Sequence, residues 1–295
     1  MRKEDLNGLI AYIIIIAIAI VFGLTVLKPY YNTANLGGLY IVFVLGGVLT
    51  GILFNAIMFE VAHIIGAKAG GYKILSCSVL GLTFASGKVK FKSFDGLTGE
   101  TKILPKEDNK KPANPNLYLL CGTFWFVIEA VALMTLFFVF KSLYVSPETL
   151  GFSNAAYFLL VVFVVGAMIY IYSIMPFKLD TVNDGYRLRM VSNPKNKEAF
   201  NELLRVENEI AEGKSDVEIK TFTEITNFTA DLNLNKVYLL LDKKEYLEAE
   251  TLLDIILANG NQGISHKVYL RARAQKIYIN IMYKSLDEAK EFYDK

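Results

Sequence analysis

Four stretches of this chain, approximately residues 9–27, 37–66, 117–140 and 155–175, are apolar over lengths that cross a hydrocarbon layer. A layer about 30 Å thick needs about 20 residues of helix, and lipid supplies no water to satisfy bare backbone groups, so each stretch must be helical. The composition agrees, with 53% of the 295 residues hydrophobic and a mean hydropathy of +0.36. A largely helical polytopic membrane protein with a soluble tail is the expected class. The first span follows Met1-Arg-Lys-Glu-Asp-Leu-Asn-Gly8, lacks a small-residue cleavage site and exceeds a signal-peptide apolar region, so it reads as a retained helix.

Charge is nearly balanced, 31 Lys and Arg against 29 Asp and Glu, for a net +2, which excludes a strongly basic nucleic-acid surface. Its distribution is uneven. Lys68, Lys73, Lys88, Lys90, Lys92, Lys102, Lys106, Lys110 and Lys111 lie between the second and third spans, whereas segments 28–36 and 141–154 hold little beyond Lys28 and Lys141. Because basic loops stay on the cytoplasmic side, loop 67–116 and both termini are expected in the cytoplasm. The lysine- and asparagine-rich composition suits a bacterial plasma membrane. Two distant cysteines, Cys77 and Cys121, form neither a disulfide framework nor a Cys-x-x-Cys knuckle.

Within the loop, Lys73-Ile-Leu-Ser-Cys-Ser-Val-Leu80 and Lys88-Val-Lys-Phe-Lys-Ser-Phe94 are β-prone runs separated by Gly81 and Ser86-Gly87. They predict a small β-region inside an insertion at 67–105. The polar, proline-rich stretch from Leu104 to Pro115 reads as loop. Domain boundaries follow: 1–36 for the first helix and its loop, 37–194 for a membrane core, and 195–295 for a cytoplasmic helical domain.

The chemistry concentrates near the end of the second span, at Phe59-Glu-Val-Ala-His63. Ionisable groups at that depth are costly and by default mark a site. Glu60 and His63 fill the last four places of His-Glu-x-x-His, in which two histidines one helical turn apart bind zinc and the glutamate is general base. Phe59 stands where the first histidine belongs. Asn55 falls one turn earlier on the same helix, and Glu129 lies near the middle of the third span, three residues after Phe126. Past the fourth span, Pro176 ends the helix and Asn183-Asp184-Gly185 is a strong turn signal.

Taken in order, Glu60-x-x-His63-x-x-Gly66, the basic β-region, Gly122 opening a later span, then Pro176 and Asn183-Asp184-Gly185 resemble the site-2 protease family of zinc-dependent intramembrane peptidases. The resemblance covers roughly residues 37–190. It implies His63 and Asp184 as metal ligands and Glu60 as base, with Phe59 at the missing ligand position. The family also places an oxyanion-stabilising asparagine after the glycine of its third core helix, where this chain has Phe124, Trp125 and Phe126. The resemblance thus implies a pseudoprotease with zinc absent or weakly bound, holding a transmembrane protein client. The alternative is an active zinc metallopeptidase with a non-standard third ligand such as Glu129. A polar cluster of Asn55, Glu60, His63, Glu129 and Asp184, with Asn183 beside it, is expected in either case. A transporter component is a third reading, weakened by the lack of internal repetition.

The tail changes character. Residues 195–212 predict an amphipathic helix with Phe200, Leu203, Leu204, Val206 and Ile210 on its apolar side. Lys236 to Leu253 resembles one tetratricopeptide-type helical hairpin, and Lys276 to Lys290 echoes it. Ala249 and Ala289, at matching places, are 40 positions apart. A tetratricopeptide-like domain that binds a cytoplasmic protein partner is expected. His266, the other histidine, reads as a surface residue.

Overall fold

A computed structural model of the chain describes residues 3–34, 38–85, 87–91, 99–106, 112–177, 182–214, 216–258 and 263–294. The chain divides into two compact units, Met1–Lys106 with Asn114–Arg189, and Met190–Lys295 with Glu107–Ala113.

The first unit is built on four helices long and apolar enough to cross a membrane. The first is α1 (Lys3–Phe22), continued through a π-helical turn at Gly23–Leu27 into α2 (Lys28–Ala34). The others are α3 (Leu39–Ala69), α4 (Pro115–Ser142) and α5 (Leu150–Ile174). Helix α3 is central and packs against both α4 and α5, while α1 packs on α5. Leu39, Val42, Leu45, Leu49 and Leu53 of α3 point outward, as suits a helix surrounded by lipid.

The inward face of α3 follows a four-residue period: Gly47, Gly51, Asn55, Phe59 and His63 are all buried. Residues four apart form one ridge along a helix. Its first two members are glycines because α5 comes too close for anything larger. A Cβ at Gly47 would meet Val161 Cγ1 at 2.9 Å, and one at Gly51 would meet Val165 Cβ at 2.9 Å. At the other end, a Cβ at Gly66 would stand 2.5 Å from the Leu117 carbonyl oxygen and 2.7 Å from Cys121 Cβ on α4. Lipid gives apolar helices no hydrophobic reason to associate, so close approach over small residues supplies the van der Waals contact that does.

Between α3 and α4 lies an antiparallel sheet of four strands, in the order β3-β2-β1-β4. The strands are β1 (Tyr72–Val79), β2 (Leu82–Ala85), β3 (Lys88–Phe91) and β4 (Glu100–Pro105). Val79 pairs with Leu82 across Leu80 and Gly81, whose φ values of 51° and 82° suit a two-residue turn of the primed class. The β-region predicted from sequence is present. Its first run divides into β1 and the start of the turn, its second run begins at β3, and β4 occupies residues whose sequence carries only a weak strand pattern. Residues 92–94 of the second run lie outside the described residues. Cys77 and Cys121 are both free and buried.

The second unit is helical: α7 (Lys195–Ala211), α8 (Asn227–Asp242), α9 (Tyr246–Leu257), α10 (His266–Tyr283) and α11 (Leu286–Asp294). The short α6 (Asp184–Val191) precedes it. Consecutive helices from α7 to α11 pack on one another. Leu234, Val237, Leu253, Ile256 and Ile279 form the main core, joined by Ala249. Ala249 and Ala289 are each the fourth residue of the second helix in their pairs, and both are buried. In α7 the predicted apolar face is buried at Phe200 and Val206, but Ile210, in the last turn of the helix, is exposed. His266 is exposed at the start of α10.

An ion network with a buried centre at Glu250 and Lys276 crosses this unit. Lys276 Nζ lies 2.8 Å from Glu250 Oε1 and 2.6 Å from Asp254 Oδ1, and Lys284 Nζ lies 2.5 Å from the same Glu250 oxygen. Burial alone would push the Glu250 carboxyl up, but the two ammonium groups outweigh it and hold the carboxyl below the usual range. A depressed carboxylate stabilises the fold above its unfolded value of about 4.3 and loses that contribution as pH falls through the folded value. Wild type should therefore have a higher thermal midpoint than Glu250→Gln at pH 7. The gap should close as the pH drops below about 4.

Candidate functional site

The C-terminal end of α3 carries the two motif residues, and three further elements converge on them. His63 Nε2 lies 3.2 Å from Asp184 Oδ2, although they are far apart in sequence. Glu60 accepts a hydrogen bond from the Thr101 hydroxyl of β4. The Tyr118 ring of α4 lies 5.1 Å from that of His63, and its hydroxyl donates to the Thr101 carbonyl at 3.1 Å. A Cβ at Gly99, just ahead of β4, would collide with the Glu60 side chain, so only glycine lets the backbone pass there.

Asp184 reaches His63 because of its neighbours. The expected turn at 183–185 is the start of helix α6. Asn183 is its cap: its Oδ1 accepts the Tyr186 N–H at 3.0 Å. Its Nδ2 donates to the carbonyls of Tyr172 and Met175 at 2.8 and 2.6 Å, satisfying acceptors that the end of α5 leaves open. Gly185 follows because a Cβ there would strike the Ile174 carbonyl. One side chain thus joins the end of α5 to the start of α6, and the residue between the cap and the glycine points to His63. The Ser173 hydroxyl donates to Asp184 Oδ2 at 3.0 Å. Burial alone would raise the Asp184 carboxyl, but His63, Arg187 and this hydrogen bond together hold it below its ordinary value.

The expected five-residue cluster is divided. Asn55 and Glu129 meet against α5, where a Cβ at Gly166 would stand 2.8 Å from both Asn55 Oδ1 and Glu129 Oε1. Asn55 is fully buried, Glu129 is 2% exposed, and Asn55 Nδ2 donates to the Gly51 carbonyl at 2.8 Å. Phe59 lies between the two groups along the ridge, 7% exposed, with its ring over Gly122, where a Cβ would be 3.0 Å from Cε1. Asn183, expected to line a cavity, is spent on the two caps.

These positions decide what the site can hold. His63 carries two imidazole nitrogens with no hydrogen-bond partner, since its contact with Asp184 is at ion-pair distance but poorly aligned. His63 and Asp184 are therefore two available donors. A catalytic zinc takes three protein ligands and an open position. Among the described residues no three His, Cys, Asp or Glu side chains group to hold a metal, and the benzyl ring of Phe59 occupies the place the motif assigns to a third. His63, Asp184 and Phe59 do not make the three-ligand set that a catalytic zinc takes. Sequence reasoning missed Gly99, Thr101, Tyr118 and Ser173, since hydroxyls and a glycine outside any motif carry no signal.

Replacing Asn183 tests the double cap. Asn183→Ala should destabilise the docking of α6 by about 1–2 kcal/mol, seen as faster amide hydrogen exchange in 184–191. Asn183→Asp, which keeps the acceptor for Tyr186 but turns a carboxylate oxygen on the Tyr172 and Met175 carbonyls, should be destabilised at least as much as Asn183→Ala. No family model, curated protein or solved structure matches the chain, so what the site does is argued from its geometry.

Proposed function

We propose that the chain is a site-2-protease-like integral membrane protein that has lost peptide hydrolysis and works by binding a transmembrane protein client. The observation that carries this reading is the pairing of His63 with Asp184. The two residues that the resemblance assigns as zinc ligands meet from distant parts of the chain, with Glu60 one turn from His63 and Phe59 in the third ligand's place. A chance fragment of the motif gives no reason for Asp184 to be delivered to that histidine by a capped helix.

In this reading the old catalytic residues have become ties. Glu60 holds β4 through Thr101, and His63 holds α6 through Asp184. The Phe59 ring, buried over Gly122, fills the place of the missing histidine, and a client helix would be recognised by shape and packing. The lysine-rich 67–116 segment supports a cytoplasmic placement of the sheet and of both termini in a bacterial plasma membrane. The helical unit would be a tetratricopeptide-like domain for a cytoplasmic partner; the equivalent positions of Ala249 and Ala289 support two related hairpins. The active-enzyme alternative needs a third ligand, and Glu129, the candidate for it, lies beside Asn55 at Gly166, with no group of three that joins it to His63 and Asp184 among the described residues.

Elemental analysis of detergent-purified protein tests the reading. Wild type should hold well under one zinc per chain, Phe59→His should gain zinc toward one per chain, and Phe59→His with His63→Ala should lose it again. Stoichiometric zinc in wild type that disappears in His63→Ala would contradict the reading and favour the enzyme.

A further inference from the structure

Between α7 and α8 the described residues, 212–214 and 216–226, hold no regular secondary structure, and residues 216–222 lie along the two helices. The main chain of this segment is gripped at every second residue by side chains. The Glu218 carbonyl accepts from the Arg205 guanidinium. The Lys220 N–H donates to Glu202 Oε1 at 2.7 Å. Phe222 is held at both ends, its N–H donating to Asn233 Oδ1 at 3.0 Å and its carbonyl accepting from Asn233 Nδ2 at 2.7 Å. A period of two is that of an extended chain.

The side chains complete the pattern. Val217 and Ile219 are buried with Val206 and against Leu239, and Phe222 is buried with Ala199 and Leu232. Asp216 pairs with Lys243, and the Thr221 hydroxyl accepts from Lys236 Nζ at 3.0 Å. Receptor side chains bonded to a peptide main chain, with apolar side chains set in pockets, are the features by which extended peptides are recognised. Bonds to the main chain do not depend on the sequence they hold. Beside the segment a hollow of about 290 Å³ remains open, lined in part by Val217, Ile219, Leu239, Leu240, Lys236 and Lys243.

We propose that the α7–α8 groove is a peptide-docking site closed by the chain's own residues 216–222, and that a protein partner opens it with an extended segment of like pattern. That pattern is an acidic residue, for Lys243, followed by apolar residues at the first, third and sixth places after it. The tethered segment competes at an effective concentration in the millimolar range, so the groove is closed until a partner outbids it locally. The proposal stands on the helical unit alone and does not rest on the membrane reading.

The test uses the full chain in detergent, with 216–222 replaced by a Gly/Ser segment of equal length, and a fluorescein-labelled peptide of residues 214–224. Saturable binding at least ten-fold tighter than to wild type is expected. Asn233→Ala in the same background should weaken it at least ten-fold, and a peptide carrying Val217→Asp and Ile219→Asp should not bind. No saturable binding, binding indifferent to Asn233→Ala, or a replaced chain that loses its helical circular-dichroism signal would overturn the proposal. In wild type, the Lys220 and Phe222 amides should exchange hydrogen faster than those of Leu234 and Val237. Exchange of all four at one rate would mean the segment opens only with the whole unit, and would likewise overturn it.

Discussion

Two helices in lipid can approach only as closely as their smallest facing side chains allow, and the ridge from Gly47 to His63 sets that distance for the first unit. Gly47 and Gly51 let α5 in against α3. The ridge then turns polar at Asn55, aromatic at Phe59 and polar again at His63. Each change assigns a neighbour: Gly166 and Glu129 meet Asn55, Gly122 meets Phe59, and Asp184 meets His63. Polar groups in hydrocarbon are costly unless they meet one another, so the two polar steps fix the rotation of α3 as firmly as the glycines fix its distance.

Phe59 is what separates those steps. A histidine there would be one more polar group, continuous with Asn55 above and His63 below. The benzyl ring instead forms an apolar plug between them, packed on Gly122 of α4. The Asn55–Glu129 pair is thereby left as a buried contact of three helices, and the His63–Asp184 pair as the anchor of α6.

Much of this was legible from residue order. The four spans were readable because a membrane demands length and polarity together; the four helices fall where expected, although the first ends and the fourth begins several residues beyond the expected limits. His63 with Asp184 could be anticipated only through the motif resemblance, since nothing in local pattern links a helix end to a residue past two later spans. Asn183-Asp184-Gly185 reads as a turn because all three residues favour turns. It starts a helix instead, since asparagine is also a helix cap and the open carbonyls of α5 stand beside it. Strand β4 was obscured by its polar start at Glu100-Thr-Lys. The joint cluster of Asn55 and His63 failed for a simpler reason: a shared helix face does not mean a shared cavity when an aromatic ring lies between.

The contact of His63 on α3 with Asp184 on α6 holds the first unit's site together, and a double-mutant cycle measures it directly. His63→Ala, Asp184→Ala and the double variant would be compared with wild type by unfolding in detergent. Residues in contact should show a coupling of about 1 kcal/mol or more. Strictly additive effects would mean that His63 and Asp184 do not act on one another, and both the ex-catalytic reading and the docking of α6 would fall with them.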